Sequence, residues 1–250
     1  MHRNCVRISI WILISSLLVS SASISRQVKN YRTLSTASFQ LMYERRIPVD
    51  DVRLLGKALE SDYAIYRKKF NLSYRQKPKV YVLTSSQRLR NESQSLVYDD
   101  AAYSDGRLYV SLPQVKGKSM QGSIPRIVAH SLLGGIPTCP PWLLETYAIH
   151  AGGDYKRFGK PVQATASTFA DLSEDYARGA NGSNARQVYA LLATTAKFFV
   201  DRYGEEKFES VFVQFKRGVY LETAFETSFG EKIADIERAW AQFVLSQVKG

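Results

Sequence analysis

Residues 127 to 153 read I-V-A-H-S-L-L-G-G-I-P-T-C-P-P-W-L-L-E-T-Y-A-I-H-A-G-G. The pattern predicts two short helices joined by a tight Gly/Pro loop. The first starts near Ser123, a residue type that caps helix N-termini, with Pro125 in the first turn. Ile124, Ile127, Val128 and Leu132 recur at helical spacing, and Gly134-Gly135 stops the run. The second opens at Pro140-Pro141, because proline is tolerated at the first helical position, and stops at Gly152-Gly153. His130 falls on the first helix and Glu145 on the second.

These residues resemble the core of the peptidase MA-like family of gluzincins. That family carries H-E-x-x-H on one helix and a motif of the form P-x-W-L-x-E-G-x-A-x-Y on the next. The resemblance implies that two His one turn apart and the Glu of the second helix hold zinc, while the Glu between the His is the general base. Residue by residue the match is partial. His130 matches the first His. Ser131 stands at the catalytic Glu and Gly134 at the second His. Pro141-Trp142-Leu143-Leu144-Glu145 matches the second motif, with Glu145 on the third ligand. Thr146 replaces the usual Gly, Ala148 is kept, and His150 sits where the aromatic falls.

Those departures have a physical consequence. Catalytic zinc takes three protein ligands and keeps one position for water. His130 and Glu145 supply two. A serine hydroxyl cannot replace a carboxylate base near neutral pH. No catalytic residue is therefore assigned, and His130, Gly134 and Glu145 are read as a vestigial metal site. An alternative for His130 is a plain hydrogen bond to Glu145 or to backbone. His150 is about 140° around the helix from Glu145 and reads as a partly buried histidine closing that helix.

Residues 1 to 23 have the plan of a secretory signal peptide: a basic head with Arg3 and Arg7, an apolar run from Ile8 to Val19, then Ser21-Ala22-Ser23. An uncleaved N-terminal membrane anchor is the alternative. No second apolar run is long enough to span a bilayer. The expected location is secreted or periplasmic, in the cell envelope. Removal of Arg3 and Arg7 with the signal takes the formal charge from +11 to +9. So basic a surface suits an anionic envelope component, a protein or a peptide. Export and the lack of a nucleic-acid motif argue against nucleic acid. Cleavage also leaves Cys139 as the one cysteine, which excludes an internal disulfide and a metal-type Cys spacing. Asn71-Leu72-Ser73, Asn91-Glu92-Ser93 and Asn181-Gly182-Ser183 are glycosylation sequons.

Along the chain, Gln27 to Ala37 reads as a polar leader. Phe39 to Tyr43 alternates as a strand. Pro48 opens a long helix to Phe70, with Val52, Leu55, Leu59, Tyr63, Tyr66 and Phe70 in period. Lys79 to Leu83 is a second strand, followed by a polar Ser/Arg-rich helix or loop. Ala101 to Tyr103 and Arg107 to Leu112 flank Ser104-Asp105-Gly106 as a hairpin. The chain is irregular from Gly153 to about Gly182. Helical stripes follow over Ala185–Tyr203, over Phe208–Phe215 and from Ile233 to Val244, with a short Leu221–Phe225 turn between the last two.

The expected fold is α+β and zincin-like: a small mixed or antiparallel sheet with a long helix, then a helical half, in one domain over 30–250. The C-terminal pattern of Tyr, Ala, Phe and Gly also resembles the peptidase MA-like family, which extends the likeness from Phe39 to Leu245. In zincins an edge strand binds substrate as an added strand. Arg107 to Leu112 is the candidate, the alternative being that it pairs inside the sheet. The candidate cleft residues are Arg107, Tyr109, Cys139, His150 and Tyr189, the last with core packing as its alternative. Two functions follow. One is a non-catalytic pseudopeptidase that binds a protein, peptide or envelope component and needs no cofactor. The other is a metallohydrolase with an altered zinc site built on His130, Glu145 and a distant ligand.

Overall fold

The computed structural model describes residues 31–73, 76–94, 98, 100–104, 106–115, 120–164, 166–179 and 182–248. The expected signal segment and Asn181 lie outside the described residues. The sheet has five strands: β1 (Tyr31–Ser35), β2 (Gln40–Glu44), β3 (Lys79–Leu83), β4 (Ala101–Ser104) and β5 (Arg107–Ser111). Their order is β1-β2-β3-β5-β4. The inner pairs β2/β3 and β3/β5 are parallel, and the outer pairs β1/β2 and β5/β4 are antiparallel. The architecture is α+β, with a mixed sheet first and a helical half after it.

Two sequence expectations change here. The supposed leader contains β1, which pairs with β2 from Tyr31 opposite Glu44 to Ser35 opposite Gln40. The strand read as an edge, Arg107 to Leu112, is interior. β5 lies between β3 and β4, and Leu112 opens the short helix α3 (Leu112–Val115). The hairpin partner β4 takes the edge instead.

Helix α1 (Val49–Phe70) covers one sheet face. Its period-matched residues Val52, Leu55, Leu59, Tyr63, Tyr66 and Phe70 are all buried. Asp50 and Asp51 in its first turn and Arg67, Lys68 and Lys69 in its last complement the helix dipole. Leu41, Tyr43, Val80, Val82, Leu108 and Val110 join the same core. On the other face Leu83, Ala102 and Tyr109 pack with Leu89 of α2 (Ser86–Ser93). That helix is capped by Ser85, whose hydroxyl accepts the Arg88 N–H at 3.3 Å.

The two motif helices form as a pair, α4 (Met120–Leu133) and α5 (Pro141–Gly152). Ser123 does not start α4. It lies in the fourth position, and its buried hydroxyl donates to the Asp100 carboxylate rather than capping the helix. The helices cross closely enough to need glycine. A Cβ on Gly122 would stand 2.8 Å from the Gly152 carbonyl oxygen, and one on Gly152 would stand 2.9 Å from that of Gly122.

From Trp142 to Ile149, α5 is buried on every side. It is enclosed by α4, by α7 (Phe169–Gly179) and by α8 (Ala185–Tyr203). The stretch expected to be irregular thus holds α7 and the single-turn α6 (Tyr155–Phe158). Phe169 is the reason: it stacks on Trp142 with centroids 5.3 Å apart and also meets Phe199, Phe225 and Trp240. The remaining helices are α9 (Glu205–Lys216), α10 (Leu221–Phe229) and α11 (Ile233–Val248). No helix among the described residues is long and apolar enough to cross a membrane.

Candidate functional site

The α4/α5 pair brings His130 and Glu145 together. His130 Nε2 lies 2.9 Å from Glu145 Oε2, with Glu145 almost wholly buried. A carboxylate only accepts hydrogen bonds, so this Nε2 carries the proton and donates it. The second oxygen, Oε1, accepts the hydroxyl of Tyr98 at 3.0 Å. Burial alone would raise the Glu145 carboxyl; His130, Arg126 and the Tyr98 hydroxyl outweigh it and hold it below its usual range. His130 Nδ1 is buried and has no partner among the described residues.

A second set of charges stands behind this pair. Arg126 is one turn before His130 on α4 and is 2% exposed. Its Nη2 donates to Asp100 Oδ1 at 3.0 Å, and its Nε pairs with Asp154 Oδ2 at 3.0 Å. The guanidinium also lies 3.5 Å from the centre of the Tyr98 ring, a close cation–π contact. Arg157 adds a bond to Asp100 Oδ2 at 3.2 Å. Burial would raise Asp100, but Arg126, Arg157 and Ser123 outweigh it and lower it. Burial wins at Asp154, which is raised despite Arg126.

His130, Glu145, Arg126 and Tyr98 line a cavity of about 340 Å³ with Ala102, Tyr103 and Ser104 of β4 and with Tyr176 and Tyr189. Tyr189, expected at the cleft or in the core, is in both places: it lines this cavity and is 6% exposed. Its ring meets Tyr98 edge-on at 5.5 Å, and burial raises its hydroxyl well above the usual value.

The other expected cleft residues go elsewhere. Tyr109 projects to the opposite sheet face, stacked on Tyr81 at 5.4 Å, and the Arg107 guanidinium lies 5.8 Å over that same Tyr81 ring. β5 is interior, so neither reaches the cavity. Cys139 sits in the helix-joining loop with its thiol 3.7 Å from the Pro140 carbonyl oxygen, and burial pushes the thiol up to about 12. That leaves it a poor nucleophile at neutral pH. His150 closes α5, where its carbonyl accepts the Gly153 N–H. Its ring bonds the Tyr155 hydroxyl and lies 3.5 Å from Glu205, on the α9 side. Ser131 turns its hydroxyl back onto the Val128 carbonyl at 3.1 Å.

The donor set does not fit a catalytic zinc ion. His130 and Glu145 are two ligands bonded to each other, and among the described residues no group of three or more His, Cys, Asp or Glu converges to hold a metal. Gly134 offers no donor side chain. A Cβ there would lie 2.9 Å from the His130 carbonyl oxygen and 3.3 Å from Tyr103 Cε1 and Oη.

Tyr98, Asp100, Tyr103, Arg126 and Tyr176 went unnoticed in the sequence. One signal existed for Arg126: it interrupts the apolar run Ile124 to Val128 four residues before His130, on the same helix face. Tyr98 and Asp100 lie in non-periodic chain and gave none. Compared with known proteins, the chain matches no family model, and no curated protein matches it.

Proposed function

We propose that this is an exported, non-catalytic protein on a zincin-like scaffold of the peptidase MA-like kind, using the cavity beside β4 to hold a peptide segment. The direct His130–Glu145 bond carries the reading. Each group satisfies the other at a place where a hydrolase keeps both turned to a metal. Ser131, in the position of a general base, is bonded to backbone. The site therefore activates no water, and no cofactor is needed to complete it.

The sheet edge supports peptide as the ligand. β4 is the last strand in the order, and Ala102, Tyr103 and Ser104 lie along the cavity. A bound segment adds to β4 as a strand and sends one side chain into the tyrosine-lined cavity. The basic exterior, +9 without the signal segment, favours acidic peptides or partners in the envelope.

The test is selection of binders from a random peptide library on the purified protein, followed by mass spectrometry of the bound peptides. Intact peptides whose binding is weakened by alanine at Tyr103 or Tyr189 are the expected result. Cleaved peptides, with cleavage abolished by His130→Ala and by chelator, would replace this reading with that of an altered zinc hydrolase.

A further inference from the structure

Gly134 follows the last residue of α4 and its N–H still bonds the His130 carbonyl at 2.8 Å, so position 134 lies one turn above His130 on the same face. A side chain at 134 would stand beside the His130 ring. A Cβ there first meets the His130 carbonyl oxygen at 2.9 Å, and the space beyond it is filled from the sheet. The Tyr103 ring of β4 comes within 3.3 Å of a Cβ built on Gly134, at both Cε1 and Oη. The same ring lies against the His130 imidazole, with centroids 4.8 Å apart and planes tilted by 41°. Tyr103 is half-buried and also packs against the main core.

We infer that Tyr103 is the side chain that keeps metal out of this site: its ring takes the volume of a ligand at position 134 and holds the His130 ring on Glu145. The inference rests on the metal-free reading above and adds to it the residue that enforces it. A glycine alone would leave a void beside His130 that water or a neighbouring side chain could enter. A methyl group at 134 already presses on the His130 carbonyl oxygen, and the ring closes the space that a longer side chain would need. An imidazole introduced there has no room to converge with His130 and Glu145. Removing the ring and adding the imidazole supplies three donors and leaves a fourth position open.

The experiment compares zinc retained by purified protein after dialysis against micromolar zinc, for wild type, Y103A, G134H and Y103A/G134H. The double variant is expected to hold about one zinc per chain, and the others less than about a fifth of that. Cobalt should give the double variant a tetrahedral visible spectrum, lost when E145Q is added. If G134H alone retains zinc as well as Y103A/G134H does, or if the folded double variant retains none, Tyr103 is not the barrier. Zinc at one equivalent in the wild type would instead overturn the metal-free reading itself.

A metal-independent arm guards against a double variant that does not fold. G134V should lower the melting temperature by more than G134A does, because both press on the His130 carbonyl and only the longer side chain runs into the ring. The Y103A background should recover roughly half of that excess or more. An equal excess in both backgrounds would overturn the inference.

Discussion

The guanidinium of Arg126 lies 3.5 Å from the centre of the Tyr98 ring, and Tyr98 in turn donates its hydroxyl to Glu145. One residue thus ties the buried charges of Asp100 and Asp154 to the candidate site. Replacing it by methionine keeps much of the bulk but leaves both carboxylates without their buried cation. Removing one partner of a buried pair costs about 3–5 kcal/mol. Urea denaturation of Arg126→Met should show a loss of that order. A loss below about 1 kcal/mol would mean that these charges contribute little to the fold.

Glu145 gives the site a definite response to acid. Its carboxyl is held below the ordinary value of 4.5. A depressed acid stabilises the native state above its unfolded value, and that contribution is lost as pH falls through the folded one. Glu145→Gln should therefore be less stable than wild type at pH 7 by roughly 2–4 kcal/mol. The gap should narrow as pH drops below 4.5. Thermal melts at pH 7 and pH 3 read both points, and a gap that stays constant would contradict an ionised Glu145.

The crossing of α4 and α5 makes an unusual demand on a helix. Gly→Ala inside a helix ordinarily gains about 0.5–1 kcal/mol. At Gly122 the new methyl would press on the Gly152 carbonyl at 2.8 Å. Gly122→Ala should instead destabilise by about 1–3 kcal/mol, the cost of overpacking. A stabilised variant would show that the two helices stand further apart.

Some of this was legible in the sequence, and the reasons differ by element. α1 and α9 announce themselves because each buries one stripe, so Val52, Leu55 and Leu59, or Phe208, Val211 and Phe212, repeat with the helical period. α5 has no such stripe, being buried all round; its proline start and glycine stop gave it away. β1 was missed because it is an edge strand with Tyr31 and Leu34 only half-buried, so its alternation is weak and its existence depends on β2. The edge role given to Arg107–Leu112 failed because strand order is set by the crossovers, which the residues of one strand do not encode. The His130–Glu145 contact could be read from helix spacing and motif. Asp100, Arg126, Asp154 and Arg157 meet only through the tertiary fold, and three of the four lie outside any apolar pattern.

Asp62 on α1 offers an effect of opposite sign to that of Glu145. Burial raises its carboxyl from 3.8 to about 6. An acid with a raised folded value costs stability when ionised. The cost is full above about 6 and fades as pH falls toward 3.8. Asp62→Asn should gain about 1 kcal/mol at pH 7, a figure reduced for the solvent that still reaches the group. The gain should vanish near pH 3.5. Paired melts at the two pH values check it, and a variant less stable than wild type at pH 7 would point to a partner for the carboxylate.

Calorimetric titration of the purified wild-type protein with zinc tests the central claim most directly. With His130 and Glu145 spent on each other and Tyr103 beside them, no site tighter than about 1 µM is expected at these residues. One zinc bound per chain below that concentration, and lost in both His130→Ala and Glu145→Gln, would contradict it.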